Sequence, residues 1–579
     1  MTPWRDRLRT DPSVHRSGVA RRRAWLEASV LAAGYFIVLL ATAGDLGYAR
    51  DEGFYFDAAE VYARWFDLLF REPGLALSRD AVDEHWRVNH EHPALVKSLF
   101  ALGHRVLHER LGLIAEPGLA HRVVGMAFGA TALAVIYRWA FAVAGRAAAF
   151  VAALSYAGMP RVFFHAHLAC FDVPVLALWL VVTASYVWAL AAPGWRRSVV
   201  VGVLYGLLLN TKHNAWILPP VLGAHWLAVG WMRGSFRQAL ARCELLPPRP
   251  LLAMLVAGPL VLFATWPWLW FDTIARLREW AVFHVQHVYY NMEFLGETYW
   301  KPPMPRLYAP VMTLATVPLI TLMLAAWGVF EGLRRVLLAR RDSSSRRPRS
   351  ERSRARITPD LVPEAVLLWL LCILGSYGPW LSTTTPIFGG TKHWMTAYPY
   401  LCLFAGVGFA RLRDRLGVLV ECLGSWRRVA TPLLAVSVTA GPLLMTAHAH
   451  PFALSAYTPV VGGAPGAANL GLNRTYWGYT TAALIDTLNR EAPPGARVYV
   501  HDTALPSFRM LQRDGRLRTD LRPTLSIAGS DLALYHYEQH MGRVEYQIWV
   551  DYGTTVPLGF GLHDGVPVVW LYERPRERR

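Results

Sequence analysis

Long apolar runs separated by polar connections dominate the first 450 residues of the chain. Each run has roughly 18 to 25 residues, which is enough for a helix to cross a hydrocarbon core about 30 Å thick. The pattern predicts a mainly α, polytopic membrane protein with about eleven transmembrane helices. The runs are centred on residues 25–43, 122–141, 147–164, 168–191, 198–213, 214–232, 251–270, 307–330, 362–381, 394–410 and 430–447.

The apolar periodicity changes after about residue 448. A helical pattern occupies 480–490, and alternating residues at 497–501 and 566–572 are typical of strands. We therefore predict a transmembrane domain over 1–447 and a small α/β domain over 448–579. Within the first domain, 44–120 is a first outer loop and 333–361 is a basic cytoplasmic loop.

Composition and charge agree with a membrane setting. Hydrophobic residues make up 54% and charged residues 17% of the chain, whereas soluble domains carry about a quarter charged residues. The net charge is +18, but the basic residues lie in every second connection, as the positive-inside rule requires. This pattern predicts a cytoplasmic N-terminus and an outer C-terminal domain, with membrane lipid rather than nucleic acid as the partner of the arginine-rich segment 342–358. The five cysteines lack the spacing of a disulfide framework or a thiolate metal site.

Two adjacent carboxylates, Asp51 and Glu52, follow the first apolar run directly. Paired acids at a membrane edge can take a proton from a hydroxyl group or hold a cation, and the plain alternative is a solvated loop. Asp172 opens another apolar run, where an unpaired charge costs about 2.5 to 3.5 kcal/mol, so it needs a salt bridge or a water-filled cavity. His165 and His167 beside it fit a polar cavity lining better than a metal site.

Basic side chains accompany these acids on the predicted outer side. Each of them can be explained by an ordinary membrane interface, where the lysine ammonium extends toward the headgroups. However, the basic residues and the acids are predicted on the same side of the membrane, which indicates one polar site. They are Lys97, Lys212, Lys392 and His393.

The ordered motifs of residues 25–450 resemble those of bacterial polyprenyl-phosphate-sugar glycosyltransferases of family 39, the family of protein O-mannosyltransferases and aminoarabinose transferases. Relatives have His-Pro-Pro-Leu-x-Lys, Thr-Lys-Tyr and Gly-x-Arg-His motifs, so this chain departs at Ala94, His213 and Lys392. The motifs that carry the resemblance are Asp51-Glu52, His92-Pro93-Ala94-Leu95-Val96-Lys97, Arg122, Asp172-Val173-Pro174, Thr211-Lys212-His213, Phe294-Leu295-Gly296-Glu297 with Tyr299 and Pro302-Pro303, and Gly390-Thr391-Lys392-His393.

The resemblance implies the membrane-embedded GT-C fold and a monosaccharide donor linked to polyprenyl phosphate, for which undecaprenyl phosphate is the expected bacterial carrier. It implies that Asp51 is the base that activates an acceptor hydroxyl, with inversion at the sugar, and that Glu52 orients the site or helps to hold a metal. Asp172 would shape the cavity or bind sugar hydroxyls. Phosphate contacts would come from Lys97, Arg122, Lys212, Lys392 and His393.

The same resemblance implies a multi-pass protein of the bacterial inner membrane whose acceptor is a protein, a lipid or a glycan. No set of metal ligands has a diagnostic spacing, so no metal residue is assigned, and a divalent cation stays open as a cofactor. The alternative is a multi-helix transporter or flippase of lipid-linked sugars. We find no internal duplication and no matching pair of broken spans that would favour it.

Overall fold

The computed structural model of the protein describes residues 14–232, 246–344, 363–420 and 427–575, and these are mainly helical. In the first 450 residues each predicted apolar run contains at least part of a helix, and further helices lie between the runs; together they pack around a large apolar core. They are α1 Val14–Thr42, α2 Arg50–Arg71, α3 Pro73–Ala76, α4 Arg79–Trp86, α5 Leu95–Gly103, α6 Pro117–Ala144, α7 Arg146–Ala157, α8 Pro160–His167, α9 Asp172–Ala191, α10 Trp195–Leu209, α11 Leu218–Met232, α12 Arg249–Thr265, α13 Thr273–Val285, α14 Tyr308–Thr316, α15 Leu319–Ser344, α16 Pro363–Tyr377, α17 Tyr398–Val420 and α18 Arg427–Ala449.

Six helices in the described part of the chain are long and apolar enough to cross a membrane, and there are up to eight spans if each of two bent helix pairs counts as one. The predicted total of about eleven is not confirmed. Helices α10 and α12 have only 15 and 17 residues, and Arg411, Arg413, Asp414 and Arg415 charge the second half of α17. The six spans are Arg21–Asp45, Pro117–Ala144, Asp172–Ala191, His213–Met232, Pro363–Leu381 and Val429–Ala449.

The bent pairs are α7 with α8, at 68°, and α14 with α15, at 119°. Pro160 begins α8 and Pro318 directly precedes α15. Proline lacks the backbone N–H that would continue the preceding helix, and its ring clashes with the carbonyl one turn earlier. The sequence therefore breaks both helices at these positions. Most of the predicted basic loop 333–361, from residue 345 onward, lies outside the described residues.

The predicted outer loop 44–120 folds into helices α2 to α5 and a π-helical turn at His104–Arg110. Helix α2 begins immediately after the first span, because the Glu52 side chain accepts a hydrogen bond from the Ala49 N–H at 2.8 Å and so caps the helix. One face of α2 carries buried residues such as Phe56 and Tyr62, and these pack toward α5 and α6. The start of α2, with Asp51 and Glu52, is thus held close to the helical core.

The last 130 residues contain a five-stranded sheet, which confirms the predicted α/β character of this region. The strand order is β4-β3-β5-β7-β6, with β3 parallel to β4 and β5, and β7 antiparallel to β5 and β6. The predicted strands fall on β3 and β7, whereas β4, β5 and β6 were not predicted. The elements are α19 Gly463–Asn469, α20 Ile485–Glu491, β3 Arg497–Val500, α21 Leu505–Arg513, β4 Arg522–Thr524, β5 Leu532–His536, α22 Gly542–Tyr552, β6 Gly559–His563 and β7 Val566–Glu573.

This C-terminal region packs directly on the outer loop. A Cβ atom at Gly53 of α2 would lie 2.3 Å from the Cβ of Pro506 in α21, so the two helices approach as closely as glycine allows. The Arg50 N–H donates to the carbonyl of Trp477 at 2.9 Å. A small hairpin of β1 Met292–Phe294 and β2 Glu297–Tyr299 reaches the same region from the segment that follows α13.

Candidate active site

The carboxylate of Asp51 pairs with the ammonium of Lys392, whose Nζ lies 3.1 Å from Oδ2. Asp51 lies in the first turn of α2, where the helix dipole favours a negative charge. Lys392 lies in the short turn Gly390–His393, and Gly389 before it has φ +70°. A Cβ atom at Gly389 would come 2.5 Å from Lys392 Cε, so glycine leaves room for the lysine to fold back toward Asp51. The side chain of Asp51 keeps 21% of its surface exposed, which leaves it accessible to a substrate.

Glu52 points elsewhere and is fully buried against Arg122 of α6. Arg122 Nε and Nη2 donate to its two carboxylate oxygens at 2.8 and 2.7 Å, and the N–H groups of Ala49 and Ala169 donate to the same oxygens. The guanidinium also donates to the carbonyl of Gly47 and stacks on the ring of Tyr48. These contacts use the donors of Arg122, so the pair acts as an internal brace between the start of α2 and α6.

A second buried ion pair joins Asp172, the first residue of α9, to Lys212. Lys212 Nζ donates to Asp172 Oδ1 at 2.7 Å, and His165 Nδ1 lies 3.4 Å from Oδ2. Lys212 is thus the cationic partner that a carboxylate at the edge of a membrane span needs. The Trp477 ring lies 4.1 Å from Lys392 Nζ and 5.6 Å from the ring of His165, which faces Asp172, so the two ion pairs belong to one polar cluster.

Tyr55 lies one turn of α2 after Asp51 and is buried. Its ring lies 4.1 Å from the ring of Phe171, next to Asp172. Burial, with the charges of the two acids, raises the pKa of Tyr55 well above its ordinary value, so its hydroxyl stays protonated. The cluster thus offers a partly exposed carboxylate, a buried carboxylate, two ammonium groups and a neutral phenol.

Lys97 and His393 make their principal contacts outside this cluster. Lys97 Nζ donates to the carbonyl of His92 at 2.8 Å and to the Oδ1 and carbonyl of Asn89, so it closes the turn before α5. Burial lowers the pKa of Lys97 to about 7. His393 Nε2 lies 3.1 Å from the Phe388 nitrogen and also contacts the Phe388 carbonyl oxygen. Burial, followed by repulsion from Lys392 and Lys212, lowers the pKa of His393 well below its usual value.

Sequence reasoning missed two aromatic residues at the predicted site, Tyr55 and Trp477. The ammonium of Lys392 lies 4.1 Å from the ring centre of Trp477, within cation–π distance. Trp477 belongs to the segment before β3 and has φ +69°, which is rare for a non-glycine residue and marks a constrained position. The aromatic run Tyr476-Trp477 was the available signal, but nothing local pointed to a lysine so far away in sequence.

Comparison with known proteins supports the predicted resemblance. Residues 92–268 match the family described as dolichyl-phosphate-mannose-protein mannosyltransferase, a class of membrane glycosyltransferases. The matched part contains Lys97, Arg122, Asp172 and Lys212, whereas Asp51 and Lys392 lie outside it. No curated protein sequence matches the chain.

Solved structures of two kinds are similar to this chain. ArnT from Cupriavidus metallidurans in the apo state is 16% identical, with a TM-score of 0.47 over 94% of this chain and 97% of that one. The same protein bound to undecaprenyl phosphate has a TM-score of 0.45 over the same shares. The oligosaccharyltransferase AglB from Archaeoglobus fulgidus, in complex with an inhibitory peptide and a dolichol-phosphate, is 11% identical, with a TM-score of 0.43 over 92% of this chain and 71% of that one.

Proposed function

We propose that the chain is a GT-C membrane glycosyltransferase that moves a monosaccharide from a polyprenyl-phosphate donor to an acceptor hydroxyl on the extracytoplasmic side. The observation that carries the proposal is the Asp51–Lys392 pair, a partly exposed carboxylate held 3.1 Å from a buried ammonium. The family match over 92–268 supports the reaction class. The acceptor is a protein, a lipid or a glycan, and the protein works in the bacterial inner membrane.

Asp51 acts as the general base of the transfer. As its carboxylate takes the proton of the acceptor hydroxyl, the oxygen forms a bond to the anomeric carbon and the bond from that carbon to the phosphate oxygen breaks. The bonding electrons leave with polyprenyl phosphate, and the proton passes from Asp51 to water. Attack from the face opposite the phosphate inverts the anomeric centre.

Lys392 and Lys212 supply positive charge near the leaving phosphate. An ammonium group that is already in place complements the charge that develops on the phosphate, and the protein does not have to reorganise during the reaction. Such preorganised charges are the main source of electrostatic catalysis. Asp172 anchors Lys212 and shapes the sugar pocket, and a tyrosine hydroxyl such as that of Tyr55 can donate to a sugar oxygen. His393, the neighbour of Lys392, and Lys97, which holds the turn at Asn89, support this site from outside the polar cluster.

Glu52 and Arg122 serve the reaction indirectly. Their buried pair holds the first turn of α2 against α6, and because Asp51 is the adjacent residue, this also holds Asp51 in place. The outer loop, the β1–β2 hairpin and the C-terminal domain all gather around the same end of the helical core. We therefore assign this end to the extracytoplasmic side, with the N-terminus in the cytoplasm.

The test is to complement a deletion strain with the wild-type chain, with Asp51→Asn and with Asp57→Asn. Asp57 lies on the same helix with 71% of its side chain exposed, so it is a matched control. Mass spectrometry of the glycoconjugates should find the missing sugar restored by the wild type and by Asp57→Asn, and absent with Asp51→Asn. Native mass spectrometry should find undecaprenyl phosphate still bound to the purified Asp51→Asn protein.

Full restoration by Asp51→Asn contradicts the role of Asp51 as the base. If the wild-type protein instead moves a lipid-linked sugar across vesicle membranes and forms no glycoside with any acceptor fraction, it is a transporter and not a transferase.

A further inference from the structure

The β1–β2 hairpin meets the C-terminal domain through three side chains that can ligate metals. Glu293 lies in the middle of β1, and Glu538 and His540 follow β5 on the connection to α22. Glu293 and Glu538 are 2% and 5% exposed, and the side chain of His540 is largely covered. One ligand atom from each residue lies within 4.8 Å of those of the other two. This cluster is separate from the Asp51–Lys392 site and uses none of its residues.

The cluster has more negative charge than its surroundings neutralise. His540 Nδ1 lies 3.0 Å from Glu293 Oε1 and 3.8 Å from Glu538 Oε2. Among the residues that the structure describes, no lysine or arginine forms an ion pair with either carboxylate. A buried carboxylate costs several kcal/mol unless a cation and hydrogen bonds compensate it, and a single imidazolium can balance only one of the two. The second carboxylate must take up a proton or bind a cation.

A fourth polar side chain already points into the cluster. Asn291 Nδ2 lies 3.1 Å from Glu538 Oε2 and 3.3 Å from His540 Nδ1. The nitrogen and oxygen of a side-chain amide occupy nearly the same volume, so rotating the amide by half a turn places Oδ1 where Nδ2 now lies. In that rotamer Asn291 offers an oxygen ligand.

We propose that Glu293, Glu538 and His540 bind one divalent transition-metal ion, zinc, with Asn291 beside it. One imidazole nitrogen and two carboxylate oxygens are a ligand set that Zn²⁺ accepts in four-coordinate sites, at about 2.0 to 2.2 Å from the ion. A divalent ion with two carboxylates and a neutral imidazole leaves no net charge in the buried cluster. Ligand atoms about 2.1 Å from a shared ion in a tetrahedral site lie about 3.4 Å apart, and the three atoms already lie within 4.8 Å of one another.

Such an ion links the outer hairpin to the C-terminal domain. The hairpin is already seated there by the Gly296 N–H, which donates to the Gly471 carbonyl at 3.0 Å, and by Gln539, whose amide contacts the Gly296 carbonyl. A metal bond between segments so far apart in sequence closes a long loop and stabilises the folded state over the unfolded chain. This proposal is independent of the proposed transferase activity.

The test uses the full chain purified in detergent, with any tag removed and the metal stripped by EDTA. After addition of Zn²⁺ and removal of the excess, elemental analysis should find one zinc per chain in the wild type. Glu538→Gln and His540→Ala should weaken zinc binding at least about tenfold. Zinc should also raise the midpoint of thermal unfolding of the wild type and leave that of both variants unchanged.

His448→Ala is the matched control. His448 also faces a carboxylate, that of Asp564 at 2.7 Å, but its side chain is mostly exposed, so its loss should leave the zinc content at one per chain. If His540→Ala does not yield monodisperse protein, Glu538→Gln decides alone, since it keeps the shape of the side chain. The proposal is overturned if the stripped wild type binds no zinc at about 100 μM, roughly a thousandfold or more above the dissociation constant of a structural zinc site, or if Glu538→Gln binds it equally well. Preferential binding of Ca²⁺ or Mg²⁺ overturns the choice of ion.

Discussion

Arg122 holds Glu52 through two parallel hydrogen bonds of 2.8 and 2.7 Å, and both side chains are fully buried. The neighbouring residue, Asp51, faces the other way and meets Lys392. The adjacent acids of the sequence therefore have different surroundings. One carboxylate is locked into the core by charge and hydrogen bonds, and the other is partly exposed and contacts a single ammonium.

Removing one member of the buried pair should destabilise the protein strongly. Arg122→Ala leaves the Glu52 carboxylate buried without its cation, which typically costs about 3 to 5 kcal/mol. We expect a lower thermal-unfolding midpoint in detergent and a lower yield of monodisperse protein. The double variant Glu52→Gln with Arg122→Met should recover much of the loss, because no unpaired charge remains. Arg105→Ala, at a more exposed pair with Asp67, should change the midpoint little, and an equal loss there would argue against the brace.

Replacing Lys392 should affect the transfer reaction more than the fold. Lys392→Met keeps an apolar stem against Trp477 but removes the ammonium beside Asp51. We expect transfer from the lipid-linked donor to fall about 100-fold or more, as for loss of a preorganised electrostatic contact. The unfolding midpoint should change little in comparison. Lys301→Met is the control, since Lys301 is exposed and lies outside the polar cluster. Unchanged transfer by Lys392→Met would remove Lys392 from the proposed mechanism.

Lys97 should make stability depend on pH in the alkaline range. Burial lowers its pKa from 10.5 to about 7, so between these values the unfolded chain binds a proton that the folded chain does not. The free energy of unfolding therefore rises with pH above 7, and below 7 the penalty for burying the ammonium is fully present. The thermal midpoint of the wild type, measured relative to that of Lys97→Met, should increase between pH 7 and pH 9. A difference that stays flat over this range would show that the folded pKa is not lowered.

The close approach of α2 to the C-terminal region depends on Gly53. In Gly53→Ala the new methyl group would meet Pro506, at 2.3 Å from its Cβ, so the helices must move apart. We expect a destabilisation of about 1 to 3 kcal/mol, typical of overpacking, together with reduced transfer, because Asp51 lies two residues away. Gly74→Ala is the matched control: its methyl group would meet nothing within 4 Å. If Gly53→Ala is as stable as the wild type, the two helices can separate at this contact without cost, which contradicts the prediction.

The sequence singled out charged residues, but it did not show which of them pair. The ordered motifs singled out Asp51, Asp172, Lys212 and Lys392, and the structure brings them into two linked ion pairs. Arg122 was predicted as a phosphate contact, and in the structure its donors are taken by Glu52 and backbone carbonyls. For all these residues the residue type indicated that the charge has a role. Which opposite charge each of them meets is decided by its neighbours in the folded chain.

The C-terminal region shows the same limit of prediction from sequence. Alternation in the sequence predicted two strands, and these form, but the short strands β4, β5 and β6 were not predicted, because their order depends on pairing with strands elsewhere in the chain. The cluster of Glu293, Glu538 and His540 was not predicted either. Its members come from two distant segments, and none of them stands in a spacing typical of metal ligands.

The sequence by itself determined that this is a helical membrane protein with a small α/β region, because apolar length and alternation are local properties of the chain. The number of spans was not determined in this way, since prolines bend two helix pairs and others are short or charged at one end. Only the tertiary structure decided which acid meets which base. The partner of a buried charge is determined by packing between residues far apart in sequence, such as Asp51 and Lys392. No local sequence pattern specifies that two such residues will be in contact.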